Sequence, residues 1–335
     1  MRAPRPAEAD CPPTGSRTVA KPHFGESAAT PAVVAVPAVP AVPAVAAVPA
    51  AAATLSWDGV WIVIPAYEEA RTIRRLALEA LALCPRVIVV DDASRDGTAQ
   101  QLLGLPVVVL RHAVNQGKAA SLRTAFAHAL AQGARCMVSL DGDGQHDPAD
   151  APGLLAAWLQ QPERIVIGSR LHDRTQFPLS RYRANRFACF WISWAAGHPI
   201  ADSQSGFRVY PRPVMQIALG PGVRGNRFTF ESEILIEAAR HGHATLALAI
   251  PGSYPTNARA SHFRPVVDIA KIVLMVAARL LRQGLAPRGL WRSLKPAPVL
   301  PGRLQADPLP DRPDPVGASD EAIRASAVNP SALKP

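Results

Sequence analysis

The sequence has few cysteines, and no two of them are spaced as a functional pair. Cys11, Cys84, Cys136 and Cys189 lie far apart, with no Cys-x-x-Cys pair and no histidines at metal-ligand spacing. This spacing argues against a disulfide framework or a zinc site and favours reduced thiols.

The chain also lacks a nucleic-acid motif, although its formal charge is +10. We therefore expect phosphate-rich ligands or an anionic membrane surface, and not nucleic acid, as partners of the basic residues.

The N-terminal part lacks an apolar run that is free of helix-breaking residues. Residues 31–53 are almost uncharged, but prolines interrupt them at 31, 37, 40, 43 and 49. Each proline inside a helix costs about 3 kcal/mol, so the pattern favours a polyproline-like flexible extension over an export signal or a membrane span. Proline is again frequent from Lys295 onward. We predict disordered ends at 1–55 and 296–335.

Between 56 and 168, short apolar runs alternate with helical patterns. The apolar runs are 60–64, 86–90, 107–110 and 136–140, and helical spacing covers 69–83 and 118–130. Continuous apolar strands that are separated by helices indicate an α/β fold, a mostly parallel Rossmann-like sheet with helices on both faces. Ligands of such sheets bind at the carboxyl ends of the strands.

Three of the predicted strands end in acidic residues. Two glutamates follow the first strand, two aspartates follow the second, and residues 141–148, which read Asp-Gly-Asp-Gly-Gln-His-Asp-Pro, follow the fourth. Each segment alone is also compatible with a turn or a helix N-terminus. Together they predict a crevice lined by carboxylates, in which Asp141 and Asp143 supply hard oxygen ligands for a divalent cation beside a diphosphate.

Five motifs in this order and spacing resemble family 2 glycosyltransferases, in particular the branch of dolichol-phosphate mannose synthase and bacterial polyprenyl-phosphate sugar transferases. The motifs are 63–69, 89–98, 115–118, 141–148 and 202–208. The resemblance covers about 58–264 and implies a GT-A glycosyltransferase domain over 56–264, which binds a nucleoside diphosphate sugar with Mg²⁺ or Mn²⁺. The Gln-x-x-Arg-Trp motif of the processive synthases is missing, which disfavours a chain-extending enzyme.

The resemblance also implies which residues bind the donor. The base and ribose pocket would be formed by Pro65, Tyr67, Glu69, Val90 and Asp92. The residues implied at the cation and the phosphates are Asp141, Gly142, Asp143, Gln145, Arg170, Arg208 and Arg259. Planar guanidinium groups suit such phosphate contacts. Lys118 is also placed with the donor, but a lysine that opens a helix can equally be solvated. Gly142 stands where alanine is commonest in the family, a change that we expect to be mild.

The reaction implied for this branch is a single displacement that inverts the anomeric carbon. A lipid phosphate acceptor is already anionic and needs no strong base, whereas a hydroxyl acceptor needs one. The candidate bases are Asp147, Asp202, Glu231 and Glu233, of which Glu233 matches the family position best. The predicted catalytic residues are therefore Asp143, Gln145, Arg208 and Glu233.

Two apolar segments suggest contact with lipid. In 266–282 the charged residues fall on one narrow helical stripe, and the segment is shorter than the roughly 20 residues needed to span a bilayer. We predict an amphipathic, membrane-associating helix and basic flank at 265–295, with packing in the protein core as the alternative. Residues 187–194 form the second segment, which either faces the acceptor or belongs to the core.

The sequence as a whole predicts a cytoplasmic enzyme that is peripheral on the inner face of the cytoplasmic membrane. It would move one sugar from a nucleoside diphosphate sugar to a polyprenyl phosphate. A hydroxyl of another lipid or of a glycan is the alternative acceptor. A non-catalytic nucleotide-sugar-binding protein is the third possibility, but loss of a carboxylate would then be expected, and Asp141 and Asp143 are both present.

Overall fold

The structure, a computed structural model, covers the predicted catalytic domain and part of its C-terminal flank. It describes residues 55–171, 179–225, 229–251, 265–282 and 284–302, with the backbone alone for 265–270. Of the two units into which the chain divides, 1–35 lies outside the described residues, and all described residues belong to the other. The predicted N-terminal extension up to 54, Arg259 and the predicted tail beyond 302 also lie outside them.

Strands and helices alternate along the described residues, as the apolar pattern predicts for the first half of the chain. The strands are β1 (Val60–Ala66), β2 (Val87–Asp91), β3 (Val108–Arg111), β4 (Cys136–Ser139), β5 (Ile165–Ser169), β6 (Arg208–Pro211), β7 (Thr245–Ala249) and β8 (Val299–Leu300). The helices are α1 (Ile73–Leu83), α2 (Lys118–Ala131), α3 (Ala151–Gln160), α4 (Leu179–Ala196), α5 (Arg212–Leu219), α6 (Phe230–Arg240), α7 (Pro265–Arg282) and α8 (Pro287–Ser293).

The described strands form one sheet in the order β3-β2-β1-β4-β6-β5-β7-β8. Neighbouring strands are parallel except at β6, which is antiparallel to β4 and β5. Alternate residues of β1 enter different apolar clusters, Val63 packing with Phe126 of α2 and Ile62 with Leu76 of α1. Because successive side chains of a strand point to opposite faces, both faces of the sheet are covered. The predicted α/β class is confirmed.

Helix α1 begins at Ile73, four residues later than the helical spacing predicts. The backbone N–H groups of Glu69 and Ala70 donate to Thr98 Oγ1 and Asp96 Oδ2, both at 2.9 Å. These bonds hold the segment after β1 as a loop against the loop after β2. Glu68 and Glu69 therefore lie in a loop after β1 and not at the N-terminus of α1.

The C-terminal flank packs on the domain. Ile272, Val276 and Leu280 of α7 are buried in the same apolar cluster as α2 and α6, whereas Leu274 and Leu281 are each 70% exposed. One face of α7 thus belongs to the core, and the other faces outward. Among the helices that the structure describes, none is both long and apolar enough to cross a membrane.

The sheet extends further along the chain than the proline content suggests. β8 pairs with β7 in parallel, and Leu300 is buried. The predicted tail boundary at 296 is therefore too early, because two apolar residues after the prolines complete the edge of the sheet.

Helix α4 divides the aromatic segment 187–194 between the core and the surface. Its small residues, such as Ala188 and Cys189, are buried, while Phe187 is 49% exposed. Trp191 and Trp194 stack with ring centroids 5.3 Å apart and are only partly buried. The side of α4 that carries the aromatic rings is thus only partly covered.

Candidate functional site

The carboxyl ends of three neighbouring strands meet at one edge of the sheet, as the sequence predicts. β2, β1 and β4 are adjacent and parallel, so the segments that follow them leave the sheet side by side. The three acidic motifs are therefore brought to one crevice. What each side chain does there differs in part from the prediction.

The loops after β1 and β2 form one continuous wall. Glu68 N donates to Ser94 Oγ at 2.9 Å, and Glu69 N donates to Thr98 Oγ1. Glu68 and Ala93 have left-handed backbones with φ of 60° and 63°. Such strain in residues other than glycine persists only where the surroundings fix it, and it is common at functional sites.

Two residues predicted to line the base and ribose pocket, Val90 and Asp92, are buried within the protein. Val90 is fully buried in the apolar core. Both carboxylate oxygens of Asp92 are used, because Gln116 N and Gly117 N donate to them at 2.9 and 2.6 Å and His112 Nδ1 lies 2.7 Å away. Asp92 therefore holds the loop that enters α2.

Gly142 brings the Asp-Gly-Asp turn against the loop after β1. A Cβ at this position would lie 3.0 Å from Pro65 O and 3.3 Å from Glu69 Cγ. Thr72 Oγ1 also donates to Gly142 O at 2.6 Å. Pro65 and Glu69 are thus next to the turn that carries the aspartates, and Tyr67 in the same loop is 37% exposed. The Cβ of an alanine here would be in close contact with the backbone of β1. Glycine therefore fits this position better than alanine, the residue that is commonest in the family.

Lys118, the first residue of α2, is at the centre of the carboxylates. Its Nζ lies 2.5 Å from Asp141 Oδ1 and 3.1 Å from Glu231 Oε2. Burial raises the pKa of Asp141, but the Lys118 ammonium outweighs burial and holds that pKa well below its usual range. Burial likewise lowers the pKa of Lys118, and the two carboxylates outweigh it and raise the pKa. Lys118 is therefore charged and paired, not a solvated surface lysine.

The backbone passes directly over this ion pair at Gly206. A Cβ added there would lie 2.5 Å from Asp141 Oδ2 and also overlap Lys118 Nζ. Gly206 belongs to the motif at 202–208, in which Arg208 is the residue predicted to contact phosphate. The structure gives this glycine a steric role, because only a residue without a side chain leaves room for both charged groups.

Asp143 is on the other side of the turn, near Gln145 and Arg170. Asp143 Oδ1 accepts a hydrogen bond from Gln145 N at 3.0 Å, and Arg170 Nη1 donates to Gln145 Oε1 at 3.4 Å. Burial, and next to it the charge of Asp141, raises the pKa of Asp143. Arg170 Nε is buried without a hydrogen-bond partner among the described residues. The structure thus groups Asp141, Asp143, Gln145 and Arg170, as predicted.

His146 is a neighbour of this group that the sequence analysis did not single out. Its ring is buried, packs on Phe207 and has Nδ1 3.8 Å from Asp141 Oδ2. Neither ring nitrogen has a hydrogen-bond partner among the described atoms. Burial lowers the pKa of His146 to about 3, so the ring is neutral at physiological pH. In the sequence, the position of His146 directly after Gln145 in the motif is the feature that points to it.

The acidic residue that reaches this cluster is Glu231, and not Glu233. Glu233 points away, because its Oε2 accepts hydrogen bonds from Arg224 N at 2.8 Å and Gly225 N at 2.5 Å. Its Oε1 lies 3.6 Å from Arg279 Nη2 of α7. The prediction of Glu233 as the catalytic base is not matched by this geometry. Residues two apart on a helix point about 200° apart, so a match by motif position does not settle which of them faces the site.

Arg208 is completely buried, although the sequence analysis placed it on the phosphates. Its guanidinium donates to Ser205 O at 2.7 Å, Ser203 O at 2.8 Å, Glu231 O at 3.1 Å and Tyr210 Oη at 3.3 Å. All of its donating nitrogens are thus engaged within the protein. Arg208 joins the loop before β6 to the start of α6 and positions Glu231.

Asp202 and Asp147, the other candidate bases, also have structural partners. Asp202 is buried and accepts hydrogen bonds from Arg170 N, Gln204 N and Ser205 N at 3.1 to 3.2 Å. Asp147 accepts from Ala149 N and caps a short 3₁₀ turn. Among the four candidates, Glu231 is the one with an ion pair inside the cluster.

Within the part of the chain that the structure describes, no group of three or more histidine, cysteine, aspartate or glutamate side chains could by itself hold a metal ion. The carboxylates that the turn after β4 carries are those of Asp141 and Asp143. Mg²⁺-type sites are often built in this way, from one or two carboxylates with the remaining oxygens supplied by substrate phosphates and water.

Comparison with known proteins relates this chain to sugar transferases. The family model described as glycosyl transferase family 2 matches residues 61–215. An uncharacterized protein of Methanocaldococcus jannaschii is 30% identical over 193 residues, 55% of this chain and 77% of its own. The UDP-N-acetylglucosamine–dolichyl-phosphate N-acetylglucosaminyltransferase of Methanococcus voltae is 27% identical, covering 54% and 80%. The polyprenol monophosphomannose synthase of Mycolicibacterium smegmatis is 28% identical, covering 56% and 75%.

Among solved structures, glucosyl-3-phosphoglycerate synthase from Mycobacterium tuberculosis in complex with Mn²⁺, UDP and phosphoglyceric acid has a TM-score of 0.49 at 20% identity, over 67% of this chain and 78% of that one. The family match spans β1 to α5 and thus includes the strand ends that carry the acidic motifs. The chain therefore belongs to glycosyl transferase family 2 and is a glycosyltransferase with the α/β fold that its motifs imply.

Proposed function

We propose that the protein transfers one sugar from a nucleoside diphosphate sugar to a polyprenyl phosphate, with inversion at the anomeric carbon. The observation that carries the proposal is the placement of Asp141, Asp143, Gln145 and Arg170 together at the end of β4. Two of the relatives have names that specify a dolichyl or polyprenol phosphate. The acceptor is assigned here by analogy with them.

Asp141 and Asp143 would hold a divalent cation, Mg²⁺ or Mn²⁺. Their fit is supported by the raised pKa of Asp143, which reflects burial and the nearby charge of Asp141. A cation between the two carboxylates would offset both effects. When bound, the cation supplies positive charge to the leaving diphosphate.

The protein's own groups would supply the remaining charge. The Arg170 guanidinium has a buried Nε without a partner among the described residues, and its Nη1 already reaches Gln145. Such preorganised donors stabilise negative charge that develops in the transition state. Lys118, held by two carboxylates, keeps the cluster from carrying three uncompensated negative charges.

A phosphate acceptor fits the acidic residues of this site. The phosphate oxygen is anionic at neutral pH, so no strong base is needed. Glu231 is paired with Lys118 and would act on the geometry of the cluster. If the acceptor is instead a hydroxyl, Glu231 is the described carboxylate placed to accept its proton.

We also propose that the enzyme is peripheral on the inner, cytosolic face of the membrane. Leu274 and Leu281 of α7 and Trp291 of α8 are each about two thirds or more exposed. Between 271 and 302 the sequence has six basic residues and no acidic residue. Exposed apolar side chains with basic neighbours favour binding to anionic lipid surfaces.

The experiment that tests the proposal combines donors and acceptors. Purified protein is incubated with UDP- and GDP-sugars and Mg²⁺ or Mn²⁺, with and without polyprenyl phosphate, and release of nucleoside diphosphate is followed. We expect release with one donor and only with lipid phosphate, and an inverted anomeric configuration in the product by NMR. Release with a polyprenyl alcohol or a glycan would favour the hydroxyl acceptor. No release with any donor would contradict the proposed transfer.

A further inference from the structure

Arg279 of α7 is the centre of a buried ion-pair network that the sugar-transfer chemistry does not use directly. Its Nη1 lies 2.5 Å from Glu237 Oε2 and its Nη2 lies 3.6 Å from Glu233 Oε1. The same Nη2 donates to Gly222 O at 2.7 Å. One guanidinium therefore joins α7 to two acids on α6 and to the loop between α5 and α6.

This network continues to the start of α6. Glu233 accepts hydrogen bonds from the backbone N–H groups of Arg224 and Gly225. A Cβ on Gly225 would lie 2.9 Å from Glu233 Oε2 and 3.0 Å from Phe230 N. The loop and the first turn of α6 are thus packed together around one carboxylate. Any shift of Glu233 must move this turn.

The same turn carries Glu231. Glu231 Oε2 contacts Lys118 Nζ, which in turn contacts Asp141 Oδ1. From Arg279 to Asp141 there is an unbroken series of contacts through Glu233, the first turn of α6, Glu231 and Lys118. Arg279 itself lies beyond the residues matched by the family model, which end at 215.

We propose that Arg279 is a positioning residue for the transfer reaction. By fixing the first turn of α6, it sets the position of Glu231 and, through Glu231, the positions of Lys118 and Asp141. The inference rests on the proposed function for its kinetic consequences. The planar fork of arginine is suited to this role, because it reaches two carboxylates and a carbonyl with fixed geometry. A lysine would keep the charge but could satisfy fewer of these acceptors.

The chain offers a matched control. Arg240 Nη1 also pairs with Glu237 Oε2, at 3.4 Å, but its side chain is half-exposed, and neither Glu233 nor Gly222 is among its partners. Arg240→Ala therefore removes an arginine from the same acid without touching the path to Glu231. A general effect of lost charge on α6 would affect both variants alike.

The test compares Arg279→Ala, Arg279→Lys and Arg240→Ala with the unchanged protein in three measurements. Hydrogen exchange follows the backbone of 222–225 and 229–235, with α1 as an internal reference. Mn²⁺ titration by electron paramagnetic resonance, in the presence of UDP or GDP, measures cation affinity without turnover. Steady-state kinetics separates kcat from the KM for the donor. Circular dichroism and thermal unfolding report whether each variant folds.

For Arg279→Ala we expect faster exchange in 222–225 and 229–235 alone, weaker Mn²⁺ binding, and a kcat lowered about tenfold, since small displacements of catalytic groups are costly. At saturating Mn²⁺ the KM for the donor should change little, because the predicted base and ribose residues of the loop after β1 are not part of this series of contacts. Arg279→Lys should recover part of kcat, and Arg240→Ala should resemble the unchanged protein. If Arg279→Ala does not fold, Arg279→Lys provides the test. A reduced kcat at an unchanged KM for the donor then supports the proposal.

The proposal is overturned if folded Arg279 variants have unchanged kcat and Mn²⁺ affinity, or if Arg240→Ala has the same effects. If the unchanged protein transfers no sugar, the proposed function fails. The exchange and Mn²⁺ measurements then still decide the positioning role, because neither depends on turnover.

Discussion

Lys118 and Asp141 form an ion pair, with Nζ and Oδ1 2.5 Å apart, between the first residue of α2 and the second residue after β4. A positive charge at a helix N-terminus opposes the helix dipole, so the helix itself gains nothing from this lysine. Its carboxylate partners compensate for that cost. The arrangement marks the end of β4 as a place that attracts cations.

Asp143→Asn should abolish most of the sugar transfer without unfolding the protein. The substitution removes one charged ligand of the proposed cation and weakens stabilisation of the leaving diphosphate, which we expect to lower kcat by about 10² or more. Stability should be unchanged or slightly higher, because repulsion with Asp141 disappears. Nucleoside diphosphate release and thermal unfolding measure the two effects.

The control for this variant is Asp58→Asn, which neutralises a highly exposed aspartate that is paired only loosely with Arg86. It should transfer sugar at the normal rate. Near-normal transfer by Asp143→Asn, or transfer that EDTA does not affect, would contradict the cation role of Asp143.

Glu231→Gln and Glu233→Gln should both lower transfer but differ in their effects on stability. Glu231→Gln removes one partner of Lys118 and should lower transfer while leaving unfolding almost unchanged. Glu233→Gln weakens charge-assisted bonds to Arg224 N and Gly225 N and should destabilise the fold by about 1–3 kcal/mol. Urea unfolding and initial rates provide the comparison. A larger loss of transfer from Glu233→Gln than from Glu231→Gln, without loss of stability, would restore Glu233 as the carboxylate of the site.

The location of the site could be predicted from the sequence more accurately than the roles of its individual side chains. Buried apolar runs locate the strands along the chain, and the carboxyl ends of parallel strands share one edge of the sheet. Asp141 and Asp143 could therefore be placed from the motif alone. The direction of Glu231 or Glu233 depends on where α6 begins and how it turns, which the motif does not encode.

The structure departs from the predicted roles mainly at buried polar residues. Arg208 and Asp92 belong to motifs of the family, but their donors and acceptors are occupied by backbone groups from distant parts of the chain. Such pairings are long-range, so no local pattern reveals them. Similarly, the inward direction of Arg279 follows from the acids of α6, and not from the charge stripe of α7.

Acidification should lower the stability of the fold through His198, which is buried. Thr245 N donates to its Nε2 at 3.1 Å, and burial lowers its pKa from 6.5 to about 4. Between pH 6.5 and 4 the unfolded chain binds a proton that the native state does not. The free energy of unfolding therefore falls as pH decreases through this window, by at most about 3 kcal/mol from this group.

His198→Gln keeps an acceptor for Thr245 N and does not titrate. The difference in unfolding free energy between the unchanged protein and this variant, measured in urea from pH 7.5 to 4.5, should shift in favour of the variant as pH falls. A difference that stays constant over this range would mean that His198 is protonated in the native state as readily as in the unfolded chain.

The outward face of α7 gives the last prediction, which separates membrane binding from catalysis. Leu274 and Leu281 are each 70% exposed, whereas Ile272 and Val276 on the opposite side are buried. Replacing both leucines with glutamate should therefore leave the fold and donor binding intact. If this face lies on lipid, each substitution removes about 1.5–3 kcal/mol of apolar burial and adds a negative charge, so binding to anionic vesicles should be lost.

Leu103→Glu is the matched control, since Leu103 is 73% exposed but lies in the loop between β2 and β3. It should bind vesicles like the unchanged protein in a co-sedimentation assay. Vesicle binding that survives the double substitution would exclude α7 as the anchor and direct attention to Phe187 and Trp191 of α4. A lowered melting temperature with loss of donor binding would instead mean that both faces of α7 support the core.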